Sequence, residues 1–140
     1  MQLGFSSPIH LVESNLDGTF LEKLKKDIYS LRKNDVGSNI SNNLGWHSAS
    51  DLFLKKEETF QKVCTTCASS VASIMKSYDS KFNPDLFDAR FSGWINVNPK
   101  GGSNILHSHP KYVELISWYY SFQKILILFH FLFQFERSFC

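Results

Sequence analysis

The sequence has few of the residues that would give it a strongly biased character. Its 140 residues include only three cysteines, four prolines and seven glycines, and no run of basic residues exceeds two. Cys64, Cys67 and Cys140 are too few and too unevenly spaced for a disulfide framework, which favours a reducing, cytoplasmic setting. A net charge of +2 gives no electrostatic basis for binding nucleic acid or an anionic membrane. Residues 1–8 also lack the basic start and apolar centre of a signal peptide.

What the sequence does contain is typical of a folded globular domain. Hydrophobic residues make up 43% and charged residues 20%, a balance that excludes a chain disordered throughout. Aromatic residues are abundant, with thirteen phenylalanines. The length suits one domain with a core of its own rather than two.

Two segments repeat apolar residues with the spacing of an α-helix. The first covers residues 19–33, with Thr19 as a candidate N-cap, and the second runs from about residue 56 to residue 78. Cys64 and Cys67 lie on the apolar stripe of the second helix. A Cys-x-x-Cys pair can be a zinc or redox half-site, but its position on this stripe favours packing in the core.

Three other segments are predicted to be strands. Residues 8–12 form a short apolar run, and residues 87–98 alternate between apolar and polar side chains. A Pro- and Gly-containing turn at 99–102 would return the chain as a strand over 105–109, paired with 87–98. Trp94 and Asn96 lie on the polar side of the alternation, where they either line the mouth of a site or simply cover the sheet.

The sequence His107-Ser108-His109 is the most informative cluster for chemistry. Side chains two residues apart on a strand share a face, so both imidazoles can reach one ion. Imidazole binds iron, zinc, copper and nickel. Spacing alone leaves the alternative of a surface or capping pair open.

The context of this cluster resembles a known family. Upstream of the cluster lie Gly45-Trp46-His47-Ser48 and Trp94-Ile95-Asn96, and Asn104 precedes His107-Ser108-His109-Pro110. This ordered set resembles the motifs of a family of 2-oxoglutarate/iron(II) oxygenases found in marine bacteria and their phages. The resemblance covers roughly residues 5–120, and the ordered set is more specific than any single motif.

The resemblance implies an α+β fold with N-terminal helices packed on an incomplete double-stranded β-helix, or jelly roll. It implies an Fe(II)- and 2-oxoglutarate-dependent dioxygenase that hydroxylates a C–H bond, with His107 as the first iron ligand. His109 stands where the wider superfamily has Asp or Glu, so it either completes a site built from imidazoles or is not a ligand. His47 either lines the pocket or orders its loop through a hydrogen bond.

The C-terminal part departs from the family pattern. We expect residues 1–120 to form the oxygenase-like domain and residues 121–140 an atypical hydrophobic tail, with six phenylalanines between 122 and 139. The composition is that of a truncated or frame-shifted end, which predicts a tail that packs poorly or extends from the body, and weak or absent activity. His130 and Arg137 are too close to His109 for the distal half of the site, so no role is assigned to them.

Two alternatives follow from the same tail. Residues 116–135 are about long enough to cross a bilayer, although Lys124 within them disfavours insertion. For function, the alternative to an oxygenase is a non-catalytic, β-rich binding or remnant protein whose His pair is structural or binds metal weakly. The sequence indicates neither a substrate nor an oligomeric state.

Overall fold

The described residues form two α-helices and two antiparallel sheets, which confirms the α+β class. The computed structural model describes residues 10–40, 42–83, 88–105, 114–122 and 125–134, and only the backbone of 88–91, 114–122 and 125–134. Its elements in chain order are α1 (Gly18–Asn34), β1 (Asn42–Asn43), β2 (Trp46–His47), a 3-10 turn (Leu52–Leu54), α2 (Glu58–Tyr78), β3 (Asp88–Val97), β4 (Ser103–Asn104), β5 (Glu114–Phe122) and β6 (Ile125–Gln134).

The N-cap of helix α1 lies two residues before the predicted one. The side chain of Asp17, rather than Thr19, accepts a hydrogen bond from the backbone N–H of Phe20 at 2.7 Å. A carboxylate at this position also interacts favourably with the positive end of the helix dipole, which a hydroxyl does not. The apolar stripe of the helix then buries Leu24 and Ile28, as its spacing predicts.

Helix α2 matches its prediction closely and packs against α1. The hydroxyl of Thr59 is buried and donates to the carboxylate of Asp27 at 2.6 Å. An exposed ion pair between Lys23 and Glu58 at 2.7 Å lies beside it. Both Cys64 and Cys67 are buried, so packing in the core is the correct interpretation of the Cys-x-x-Cys pair.

Strand β3 organises the larger sheet, whose order is β2-β3-β6-β5. It pairs antiparallel with β6 along all of Asp88–Val97, and with β2 through its last two residues. The smaller sheet is formed by β1 and β4. Strand β3 was predicted within a residue at each end.

Two strand predictions need correction. His10 to Val12 belong to no strand, and residues 8 and 9 lie outside the described residues. Residue Ile105 is also outside any strand, and 106–109 are not among the described residues. The long partner of β3 is β6 rather than the segment after the turn, so pairing here is less local than a hairpin.

The expectation of a tail that extends from the body is wrong for its backbone. Residues Ile125–Gln134 form β6, which lies between β3 and β5. The nearly continuous apolar run of the predicted tail is thus a strand of the sheet. The described parts of 116–135 are strands rather than a membrane helix. Within the described parts of the chain, no helix combines the length and the apolar character needed to cross a bilayer.

The hydrophobic core lies between the two helices and one face of β3. Ile95 and Val97 supply the sheet side of this core, and Trp46 joins them from β2. The remaining members come from α1, the 3-10 turn and α2: Leu24, Ile28, Leu52, Phe60, Val63, Cys64, Cys67 and Val71. The opposite face of β3 carries Trp94 and Asn96 and is therefore separate from this core.

Candidate functional site

The pairing of β2 with β3 brings together two motifs that are about fifty residues apart in the sequence. Trp46 lies opposite Val97, and His47 lies opposite Asn96. Because side chains alternate along each strand, Trp46 and Val97 point to the core while His47 and Asn96 share the other face. Trp94 lies two residues before Asn96 and joins that face. We call His47, Trp94 and Asn96 the polar face.

His47 is held in place from two directions. Its ring stacks on Trp94, with centroids 5.4 Å apart and an angle of 17° between the planes. Its Nδ1 lies 2.6 Å from the carbonyl oxygen of Ser48, to which it donates. With 3% of its surface exposed, His47 both orders its loop and contributes to the buried polar face.

Ser48 extends the short strand pairing by one residue. Its backbone N–H donates to the carbonyl of Ile95 at 3.0 Å, and the N–H of Ile95 donates back to the Ser48 hydroxyl at 2.9 Å. The hydroxyl therefore does what a backbone carbonyl does elsewhere in a ladder. This explains why the motif carries a small hydroxyl residue after His47.

Two glycines allow the β2 segment to approach its neighbours. Gly37 has a φ of +79°, and a Cβ there would lie 2.7 Å from the ring of Trp46. The indole N–H of Trp46 in turn donates to the carbonyl of Asp35 at 3.0 Å. A Cβ on Gly45 would overlap the Oδ1 atom of Asn98. The first residue of the Gly-Trp-His-Ser motif is thus small because Asn98 lies against it.

Asn96 is the most unusual residue of the polar face. None of its surface is exposed, and neither its Nδ2 nor its Oδ1 has a hydrogen-bond partner. The Oδ1 of Asn98 is also buried and unpartnered, although its Nδ2 donates to Asn104 at 3.3 Å. Such groups cost free energy, and most buried amides have partners. The sequence left open whether Asn96 lines the mouth of a site or covers the sheet. Both alternatives assumed an exposed side chain, and the structure shows a buried one.

A sequence signal for these asparagines exists in retrospect. Asparagine is depleted from strand interiors, and Asn96 lies between Ile95 and Val97, the two strongest strand formers of β3. A polar residue at such a position needs either a partner or a function. The alternation alone could not show that both faces of the strand are buried.

The predicted metal ligands cannot be located on this framework. His107 and His109 lie outside the described residues. Among the described residues, no group of three or more His, Cys, Asp or Glu side chains could hold a metal ion.

The two buried thiols are unsuited to nucleophilic chemistry. Burial raises the pKa of Cys64 to about 12. Burial also raises the pKa of Cys67, and the neighbouring Cys64 adds to the effect. Since the thiolate is the reactive form, both side chains are inert at neutral pH.

Comparison with known proteins identifies no family for this chain. No protein-family model matches the sequence, and no curated protein or solved structure matches it either.

Proposed function

We propose that this chain is built on the plan of the Fe(II)- and 2-oxoglutarate-dependent dioxygenases, with N-terminal helices against part of a jelly roll. The observation that carries the proposal is the pairing of His47 with Asn96 and of Trp46 with Val97. His47 and Asn96 belong to two motifs of the family resemblance, and a site built from both motifs needs them to lie side by side. An accidental likeness of two distant segments gives no reason for them to do so.

The character of the shared face also supports the proposal. An oxygenase needs a water-poor interior lined by a few fixed polar groups and aromatic rings. The polar face has this composition, since the His47–Trp94 stack and the Asn96 amide are almost fully buried. A face that only covered the sheet would carry exposed polar side chains.

The iron would depend on residues identified from the sequence alone. We propose His107 and His109 as ligands, with His107 the first, and assign no third ligand. The described residues do not supply a metal-binding group of their own. Iron with 2-oxoglutarate and oxygen supplies the chemistry of C–H hydroxylation in this family. The contribution of the described residues is to position a substrate and exclude water.

Metal titration tests the proposal. Co(II) is a stable substitute for Fe(II), and its absorption bands report the number and type of ligands. We expect the wild-type chain to bind one equivalent, with affinity lost in His107→Ala and reduced in His109→Ala. His10→Ala is the matched control, because His10 is exposed and its ring contacts Tyr78 at the end of α2. Equal Co(II) affinity in wild type and His107→Ala would refute the assignment.

A further inference from the structure

One end of the larger sheet carries a long strand whose outer edge has no partner among the described residues. The strand order is β2-β3-β6-β5, so β5 (Glu114–Phe122) is the terminal strand there and pairs with β6 on one side. Such an edge presents a row of backbone N–H and C=O groups that another strand can bind. We propose that β5 pairs antiparallel with β5 of a second copy of this chain, which makes the protein a homodimer with one continuous sheet.

The two ends of the sheet differ in how they are protected against such pairing. Proteins usually protect a free edge by keeping the strand short, or by placing Lys, Pro or a bulge in it. Strand β2, at the other end, has two residues and is protected by its length. Strand β5 has nine residues and contains neither Lys nor Pro. Its one register shift lies between Glu114 and Ile116, so Ile116–Phe122 form a regular edge.

The sequence of this regular edge is self-complementary when it pairs antiparallel about Tyr119. That register joins three kinds of residue pair: Ile116 with Phe122, Ser117 with Ser121, and Trp118 with Tyr120. Cross-strand pairs of two aromatic residues, or of an aromatic with a β-branched residue, stabilise antiparallel strands, and two facing hydroxyls can hydrogen-bond. Each pair occurs twice, because an interface between identical surfaces is symmetric about a two-fold axis.

The charge of β5 also favours the antiparallel arrangement. Glu114 is the one charged residue of the strand and stands at its first position. Parallel pairing in register would place the two Glu114 residues side by side, and like charges there destabilise a sheet. Antiparallel pairing places them at opposite ends of the interface, about 30 Å apart. At that distance physiological salt screens their repulsion.

A second copy is the partner that these features specify. It supplies a strand of the same length, with residues that match in type at each facing position and with its single charge at the far end. The backbone contribution is also considerable, because antiparallel pairing along Ile116–Phe122 adds about six to eight N–H···O bonds. The pairing uses no metal, so the proposal goes beyond the oxygenase assignment and is independent of it.

Sedimentation velocity on the full wild-type chain is the first measurement. Small interfaces are weak, so we expect a monomer–dimer equilibrium with a Kd of about 10–100 µM. Amide hydrogen exchange followed by NMR then locates the interface. Only alternate N–H groups of β5 can bond to β6, so the other half of its amides should gain protection as the dimer forms.

Two results would overturn the proposal. One is a chain that stays monomeric up to about 1 mM, as an edge covered by another part of the same chain would give. The other is a dimer in which the amides of β5 gain no protection, because the copies would then meet at a different surface.

Two charge variants test the register and separate pairing from folding. Ser117→Lys with Ser121→Lys, or Ser117→Glu with Ser121→Glu, would place like charges opposite each other in a homodimer. We expect each double variant to be monomeric and an equimolar mixture of the two to form a heterodimer, which also shows that both fold. Ser69→Lys, at an exposed position of α2, is the matched control and should dimerise like the wild type. A mixture that forms no heterodimer, or a double variant that dimerises alone, would refute this pairing.

Discussion

The ring of His47 lies against the ring of Trp94, 5.4 Å between centroids and 17° from parallel, although 47 residues separate them in the sequence. The contact is diagonal across the β2–β3 pair, since His47 lies opposite Asn96. It fixes two side chains of the polar face relative to each other. The stack therefore links the folding of the sheet to the geometry of the candidate site.

A double-mutant cycle should measure this contact. Buried aromatic pairs contribute about 0.5–1.5 kcal/mol beyond the area that they bury. We expect a coupling of that size between His47→Ala and Trp94→Leu in the free energy of unfolding, obtained from urea titrations. A coupling indistinguishable from zero would mean that the stack does not hold the face together.

Gly45, the glycine of the Gly-Trp-His-Ser motif, should not tolerate a side chain. In Gly45→Ala the new Cβ would overlap Oδ1 of Asn98 and displace it from Asn104. We expect a loss of about 1–3 kcal/mol in the free energy of unfolding. Gly18→Ala is the control, since a Cβ at Gly18 meets nothing within 4 Å and should raise stability by up to about 1 kcal/mol.

The second variant Asn98→Ala should relieve the overlap. Adding it to Gly45→Ala is expected to recover part of the lost stability, because the displaced side chain is then gone. If the stability losses of Gly45→Ala and Asn98→Ala simply added in the double variant, this explanation of Gly45 would be wrong.

The buried thiols predict a loss of stability at alkaline pH. The pKa of Cys64 is about 12 in the folded chain, above its ordinary value near 9, so the folded state keeps its proton longer. This contribution to stability is complete below about pH 9 and is lost as the pH rises towards 12. Cys64→Ala and Cys67→Ala together should flatten the decline between pH 9 and 10.5, measured by urea unfolding at each pH.

Alkylation tests the burial of the two thiols independently of their pKa. At pH 8 we expect iodoacetamide to modify Cys64 and Cys67 only in urea, as followed by peptide mass spectrometry. Rapid modification of either residue in the native chain would show that its thiol is accessible.

The C-terminal strands should be required for folding. A chain that ends at Tyr120 lacks β6 and exposes the edge of β3 along Asp88–Val97. We expect it to lose its cooperative unfolding transition and to aggregate, because unpaired edges associate. A chain that ends at Gln134 keeps every described strand and should unfold like the wild type. If the chain that ends at Tyr120 unfolded like the wild type, residues 121–140 would be a dispensable tail after all.

Local patterns in the sequence predicted the helices and β3, but they did not predict the sheet order. Residues such as Leu24, Ile28 and Val63 repeat at helical spacing, and Ile95 and Val97 alternate, so each element follows from its own residues. Strand β2 has only two residues and exists because it pairs with β3. No local sequence pattern contains that information. The pairing of β6 with β3 joins segments about 35 residues apart, and composition alone made β6 look aberrant.

For the candidate site too, the sequence predicted the local motifs but not how they pack together. The motif containing His47 and the one containing Asn96 were both identified from the sequence, but their alignment as direct cross-strand partners comes from the sheet register. That Asn96 is wholly buried also depends on tertiary structure. His107 and His109 are predictions from the sequence and remain so.

Titration of 2-oxoglutarate by calorimetry, in the absence of oxygen and with and without Fe(II), tests the central claim most directly. A metal that binds the co-substrate directly raises its affinity, and linkage then requires that the co-substrate raise the affinity of the metal by the same factor. We predict 2-oxoglutarate binding that depends on Fe(II) and is lost in His107→Ala but retained in His10→Ala. Equal 2-oxoglutarate binding with and without Fe(II), or no binding in either case, would contradict the account.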